Sequence, residues 1–141
     1  MLHSTLPIVA ERALYFGAPN GNSAGGTDVF GRPTPAIGWI FASGDTRPGQ
    51  AEFDLLYNPN PRANDILITY HASSGQLVRA SFNVPANARV TVDVLRSVTS
   101  LPGDVHGGEM RSLSGLPFLA EQAIYNQNLT RSYALAGAPA S

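Results

Sequence analysis

Apolar and polar residues alternate with a period of two through the middle of the chain, the pattern of half-buried β-strands. From Gln76 to Val84, Val78, Ala80, Phe82 and Val84 alternate with Leu77, Arg79, Ser81 and Asn83. From Ala88 to Val94, Ala88, Val90, Val92 and Val94 alternate with Arg89, Thr91 and Asp93. The link Pro85-Ala86-Asn87 is short enough for an antiparallel hairpin. Upstream, Asp65–Ala72 places Ile66, Ile68 and Tyr70 on one face and ends in Ser73-Ser74-Gly75, a second hairpin loop. Two further strands are predicted before these. Ile37, Trp39 and Phe41 alternate along one, and Phe53, Leu55 and Tyr57 alternate with Glu52, Asp54 and Leu56 along the other. Asn58-Pro59-Asn60-Pro61 closes the latter. Nothing between 36 and 95 has a helical period, and turn signals recur at the spacing of a β-sandwich.

The two ends of the chain repeat each other. Leu6-Pro7-Ile8-Val9-Ala10-Glu11-Arg12-Ala13-Leu14-Tyr15 matches Leu116-Pro117-Phe118-Leu119-Ala120-Glu121-Gln122-Ala123-Ile124-Tyr125 at six of ten positions, 110 residues apart. That offset is about the length of a whole sandwich domain, and an internal repeat outranks local propensity in deciding architecture. The sequence reads as one full module preceded by the closing segment of an earlier one. The expected organisation is an arm over 1–35, made of a strand at 6–16 and a Gly- and Pro-rich linker over 17–35, and a sandwich over 36–141. Tyr133 and Leu135 mark a last strand. The fold class expected is all-β: a single antiparallel, immunoglobulin-like sandwich of seven or eight strands with an extended N-terminal strand arm.

Composition agrees with that reading. Of 141 residues, 43% are hydrophobic and 13% charged, against about 25% charged in an average domain. Such a chain can build a core. Fourteen Gly and eleven Pro favour many short elements joined by turns over a helical bundle. The net charge of −1 gives no electrostatic footprint for nucleic acid. No segment reaches the ~18 apolar residues of a membrane span. The first residues lack the charged start and apolar stretch of a signal peptide, so the chain either stays inside or begins after an export signal has gone.

The residues that could carry chemistry are few. All nine basic residues are Arg, so Walker A lysines, Schiff bases and Ser-Lys dyads are excluded; the absence of Cys removes thiol chemistry, disulfides and thiolate zinc sites. No Gly-x-Ser-x-Gly elbow or Gly-x-Gly-x-x-Gly loop is present. His3, His71 and His106 have no partner at metal-ligand spacing. His106-Gly107-Gly108-Glu109 is expected as a surface turn, with an imidazole–carboxylate pair as the alternative. Asp28 and Asp45 lie in Gly-rich loops with too few carboxylates for the usual calcium shell. Glu11 and Glu121 hold equivalent places in the repeat. They are expected to pair with a neighbouring Arg on a strand rather than to face each other as a glycosidase pair. Trp39, Tyr57, Tyr70 and Phe82 are expected in the core, with a sugar-stacking platform as the alternative. Asn128-Leu129-Thr130 fits the N-glycosylation pattern. No catalytic residue, cofactor or metal is expected.

The ordered motifs Trp39-Ile40-Phe41-Ala42-Ser43-Gly44, Asp54-Leu55-Leu56-Tyr57-Asn58-Pro59-Asn60, Asn83-Val84-Pro85-Ala86, the repeated segment at 7–15 and 117–125, and Gly25-Gly26-Thr27-Asp28 resemble a family of modules. These modules recur in tandem on large exported proteins of bacteria. Ser43 stands where the family has Glu, Thr27 where it has His, and the second copy of the repeated segment is not followed by Gly-Gly-x-Asp, which implies the end of an array. The resemblance implies an immunoglobulin-like domain with a structural or adhesive role at the cell surface or outside the cell, and no catalytic set. The expected function is therefore a non-catalytic structural subunit, with a carbohydrate-binding or adhesive module as the alternative. The spare strand, through Leu6, Ile8, Val9, Ala10, Leu14, Tyr15 and Phe16, is apolar on both faces. It would fold back, pair with an upstream module, or add to a second copy and propagate a filament.

Overall fold

The computed structural model describes residues 4–17, 23–126 and 131–140; the Asn128 sequon lies outside the described residues. The strands are β1 (Glu11–Gly17), β2 (Ser23–Phe30), β3 (Gly38–Asp45), β4 (Gln50–Asn58), β5 (Asn64–Ala72), β6 (Leu77–Val84), β7 (Ala88–Asp93), β8 (Val105–Ser112), β9 (Leu119–Asn126), β10 (Ser132–Ala136) and β11 (Ala138–Pro139). A single helical turn, α1 (Val94–Ser97), follows β7 and is capped by the Asp93 side chain. Two antiparallel sheets face each other, one ordered β10-β9-β4-β7 and the other β11-β3-β8-β5-β6. β1 and β2 form a separate two-stranded hairpin. The chain is an all-β antiparallel sandwich, as the periodicity predicts, but among the described residues its two sheets hold nine strands rather than the expected seven or eight.

Between the sheets lie Trp39, Phe41, Leu56, Ile66, Ile68, Tyr70, Val84, Val92, Met110 and Phe118. Each such side chain contributes on the order of 1.5–3 kcal/mol by leaving water. The predicted register of β6 and β7 holds: Val78 and Val92 are buried, Phe82 and Val90 pack partly buried against the core, and Arg79 and Arg89 are exposed. Trp39 Nε1 donates to the Phe118 carbonyl at 2.8 Å, tying the start of the five-stranded sheet to the entry of β9.

Three sequence expectations are corrected. First, Pro85-Ala86-Asn87 does not close a hairpin: β6 pairs with β5 and β7 with β4, so the link is a corner between the sheets. Asn87 takes the left-handed conformation there (φ 53°), which Asn tolerates better than most residues. Second, the linker expected at 17–35 contains β2, which pairs with β1 from Glu11↔Phe30 to Gly17↔Ser23. The strand expected at 6–16 starts only at Glu11. Third, β4 is turned over. Glu52, Asp54, Leu56 and Asn58 face the core, while Phe53, Leu55 and Tyr57 are half-buried on the outer face. Period two places residues on opposite faces without saying which face is inside, and both faces of this strand meet other protein.

Candidate functional site

Two regions stand out, the N-terminal hairpin and a polar cluster between the sheets. The hairpin rests on its own sandwich with β2 alongside β10. Arg12 forms an ion pair with Glu121, and Arg32 donates from Nη2 to the Ala136 carbonyl at 3.1 Å. Gly31 N–H donates to the Ala10 carbonyl at 2.8 Å, extending the hairpin by one rung. A cavity of about 330 Å³ separates the hairpin from the outer face of the four-stranded sheet, with Val29 and Phe30 on one side and Leu55, Tyr57 and Leu119 on the other. Glu121 therefore does pair with an Arg, although that Arg comes from the other copy of the repeated segment.

The residues expected to form a spare, adhesive strand are distributed as follows. Leu6, Ile8, Val9 and Tyr15 are 74%, 56%, 85% and 79% exposed, and Phe30 on β2 is 62% exposed. Ala10 and Leu14 are half-buried. Phe16 pairs through its backbone with Gly25. Large apolar side chains exposed together on a small hairpin and the segment that leads into it make the kind of surface that a partner covers.

The polar cluster occupies the gap between β4, β5, β8 and β9. Glu52 and Asp54, two apart on β4, point inward side by side, and both are fully buried. Glu52 Oε1 accepts from His106 Nε2 at 3.0 Å and from Gln122 Nε2 at 2.9 Å. Its Oε2 accepts from the Asp45 N–H at 2.7 Å. Asp54 Oδ2 accepts from the Tyr70 hydroxyl at 2.8 Å, and Gln122 Nε2 lies 3.4 Å from Oδ1. Gln122 Oε1 is buried and has no hydrogen-bond partner. Tyr70 and His106 pack edge to face, with ring centroids 5.3 Å apart.

Burial pushes Asp54 up to about 7, helped by the neighbouring Glu52 charge and opposed by the hydrogen bonds from Tyr70 and Gln122. Burial alone would lower His106, but the hydrogen bond and charge of Glu52 outweigh it and the imidazole is raised. Burial, with the charge and hydrogen bond of Asp54, raises the Tyr70 phenol far above its ordinary range. A bulge in β3, between Phe41 and Gly44, makes room for the ring. A Cβ on Gly44 would collide with the His106 ring.

His106 and Glu109 do not form the turn that their spacing suggested. Both lie in β8; His106 points inward to Glu52, and Glu109 sits 3.7 Å from Arg111. Asp45 is held below the usual carboxylate range by its hydrogen bonds with Arg47, and Asp28 lies in β2. Trp39 and Tyr70 are in the core, Phe82 packs partly buried against it, and Tyr57 lines the outer cavity. His71 is exposed on β5. Among the described residues no three His, Asp or Glu side chains are grouped to hold a metal ion. No helix among them is long and apolar enough to cross a membrane.

The Glu52–His106 pair joins residues 54 positions apart, and nothing local in the sequence announces it. The available signal was two carboxylates at alternate positions of an otherwise apolar strand.

No protein-family model and no curated protein sequence matches the chain. Among solved structures, the crystal structure of Thermotoga maritima 1070 superposes with a TM-score of 0.66 at 14% identity, over 76% of this chain and 97% of that one. The Anabaena sensory rhodopsin transducer superposes with a TM-score of 0.54 at 18% identity, over 64% of this chain and 97% of that one. At such identities the likeness is one of fold: this chain shares their antiparallel β architecture.

Proposed function

We propose that this protein is a non-catalytic structural subunit of a cell-surface or extracellular assembly, joined to its neighbours by donation of the N-terminal hairpin. The observation that carries the reading is the exposed apolar surface of that hairpin and of the segment leading into it, formed by Tyr15 and Phe30 on the strands and Leu6, Ile8 and Val9 before them. The two sheets are built from β3–β11, so the sandwich has its full set of ladders without β1 and β2. An isolated two-stranded hairpin is marginal in water, and this one meets its own sandwich with β2 beside β10 and a cavity under the rest. A partner that covers the apolar residues would supply the burial that the fold-back position lacks. Because donor and acceptor surfaces differ, a contact of this kind runs head to tail and gives a ring or a filament. The motifs that resemble tandem surface modules point the same way.

The test is removal of residues 1–31, with size followed by light scattering and electron microscopy. The full chain is expected to form oligomers or fibres at high concentration. The shortened chain is expected to stay monomeric with its β-sheet circular dichroism intact. A full chain that remains a monomer at millimolar concentration rules the proposal out.

A further inference from the structure

β1 repeats β9 in more than sequence. Each is the first strand of an antiparallel hairpin, β1 with β2 and β9 with β10. At the 110-residue offset, Ala10, Arg12 and Leu14 fall on Ala120, Gln122 and Ile124, which face the core of the sandwich. Glu11, Ala13 and Tyr15 fall on Glu121, Ala123 and Tyr125. The hairpin keeps the alternation: Ala10, Arg12 and Leu14 are half-buried, and Glu11, Ala13 and Tyr15 are exposed. The face that β9 buries against the opposite sheet is therefore the face that β1 has ready to bury.

Within the matched ten residues, one difference changes charge: Arg12 stands where β9 has Gln122. The Gln122 side chain occupies the place beside Glu52 and Asp54, where its Nε2 serves both carboxylates and its Oε1 is left without a partner. The other groups facing this place are the His106 imidazole on β8 and the Tyr70 hydroxyl on β5; Asp45 on β3 contributes its backbone N–H. A guanidinium carries five donors, no acceptor and a full positive charge. It answers two buried carboxylates better than an amide whose oxygen finds no donor.

We infer that the β1–β2 hairpin is a second closing hairpin for this fold: in a neighbouring copy of the chain it takes the place of β9 beside β4, in the register of β9, with Arg12 set against Glu52 and Asp54 of that copy. The inference rests on the donation reading above and adds to it the acceptor strand, the register and the contact. The β4–β9 ladder sets the residue pairs of the exchanged interface. Ala13 takes the place of Ala123 opposite Phe53, Arg12 that of Gln122 opposite Asp54, and Glu11 that of Glu121 opposite Leu55. The acceptor's own β9–β10 hairpin leaves the slot, so two like hairpins of different chains compete for it.

The chain has no cysteine, so single cysteines report the register cleanly. Ala13→Cys chains co-refolded with Phe53→Cys chains are expected to give an intermolecular disulfide under mild oxidation. The combination of Ala13→Cys with Leu55→Cys, two residues out of register on the same face, is expected to give at least tenfold less, because disulfide geometry does not span the diagonal. Arg12→Glu separates two roles. If Arg12 only clamps the hairpin to Glu121 of its own chain, this change frees the hairpin and raises cross-linking. If it faces the acceptor's carboxylates, cross-linking falls at least tenfold, which is the outcome expected.

A folding complementation needs no cross-link. Ala123→Pro breaks the ladder of β9, since a central strand cannot spare the N–H. The full-length variant is expected to keep its β-sheet signal by recruiting β1, and the Ala13→Pro/Ala123→Pro double variant is expected to lose it. Equal unfolding of the single and double variants overturns the inference, as does equal cross-linking in the two registers. In either of those cases, assembly of the wild-type chain would leave donation standing with a different acceptor. A wild-type chain that neither assembles nor cross-links removes both.

Discussion

Asp54 is the residue whose chemistry is furthest from ordinary. Its carboxyl is fully buried, and burial with the adjacent Glu52 raises it from 3.8 to about 7. Between those values the folded protein binds a proton that the unfolded chain has released, so stability falls as pH rises through the interval. The raised His106 acts with the same sign: its contribution is fully present below the ordinary histidine value of 6.5 and is lost as pH rises through its higher folded value. The sandwich is therefore expected to be most stable in mild acid and to lose on the order of a few kcal/mol by pH 8. Denaturant midpoints measured from pH 4 to 8 check this; a midpoint that climbs steadily over the range contradicts it. Asp54→Asn keeps an acceptor for the Tyr70 hydroxyl without the charge. It is expected to stabilise the protein at pH 8 by about 1 kcal/mol or more and to flatten the slope, since a buried charge without a full partner is costly. Gly44→Ala acts on the other end of the cluster. Its Cβ would have to enter the space of the His106 ring, so a loss of about 1–3 kcal/mol is expected from overpacking, read as a shift in the same midpoint.

Among the elements, the end of β4 has a sequence, Tyr57-Asn58-Pro59-Asn60, that reads as a turn and acts as a bracket. Asn58 is fully buried. Its Nδ2 donates to the carbonyls of Arg62, Val84 and Pro85 at 2.8, 3.0 and 3.1 Å, and its Oδ1 accepts from the Asn60 side chain at 2.7 Å. The bracket holds the corner where the chain leaves β6 in one sheet for β7 in the other. Asn58→Ala would leave those carbonyls unpaired, and a loss of about 1–3 kcal/mol is expected; thermal unfolding unchanged within two degrees would refute the role. The same corner marks the limit of what the sequence discloses. Alternation in 77–84 and 88–93 identifies both strands and their inward residues. It carries no record of the side-chain amide that sends them to different sheets. β5 was legible entirely, because Ile66, Ile68 and Tyr70 are apolar on a single face. The alternation in β4 points to the wrong face. Its outer residues Leu55 and Tyr57 are apolar because the N-terminal hairpin stands over them, and its inner carboxylates are matched by residues far along the chain. β2 is not announced by its sequence because Gly25, Gly26 and Asp28 have low strand propensity, and pairing with β1 makes the segment a strand.

On the scale of the molecule, two units of very different cohesion are joined at 31–37. Among the described residues the sandwich has nine strands, a continuous apolar core and a hydrogen-bonded polar centre. Among the described residues the hairpin has a ladder of its own, lies beside β10, and is tied by the Arg12–Glu121 ion pair and a hydrogen bond from Arg32, with a cavity beneath it. Opening free energies within one protein range from near zero to the global value and follow the number of buried apolar contacts. An element that is to leave its own subunit for another has to come from the low end of that range. Amide exchange of the dilute, monomeric chain is therefore expected to fall into two tiers. Residues of β1 and β2 are expected to exchange through a local opening, independent of the global stability and little affected by Asn58→Ala. Residues of β4, β5, β8 and β9 are expected to exchange only with global unfolding and to lose protection together in that variant. At concentrations where the chain assembles, β1 is expected to move from the fast tier to the slow one, because its ladder then lies inside a sandwich, and the displaced β9 is expected to lose protection. Protection of β1 that equals that of β5 in the dilute monomer would mean the hairpin is an integral part of its own fold and cannot be spared to a neighbour.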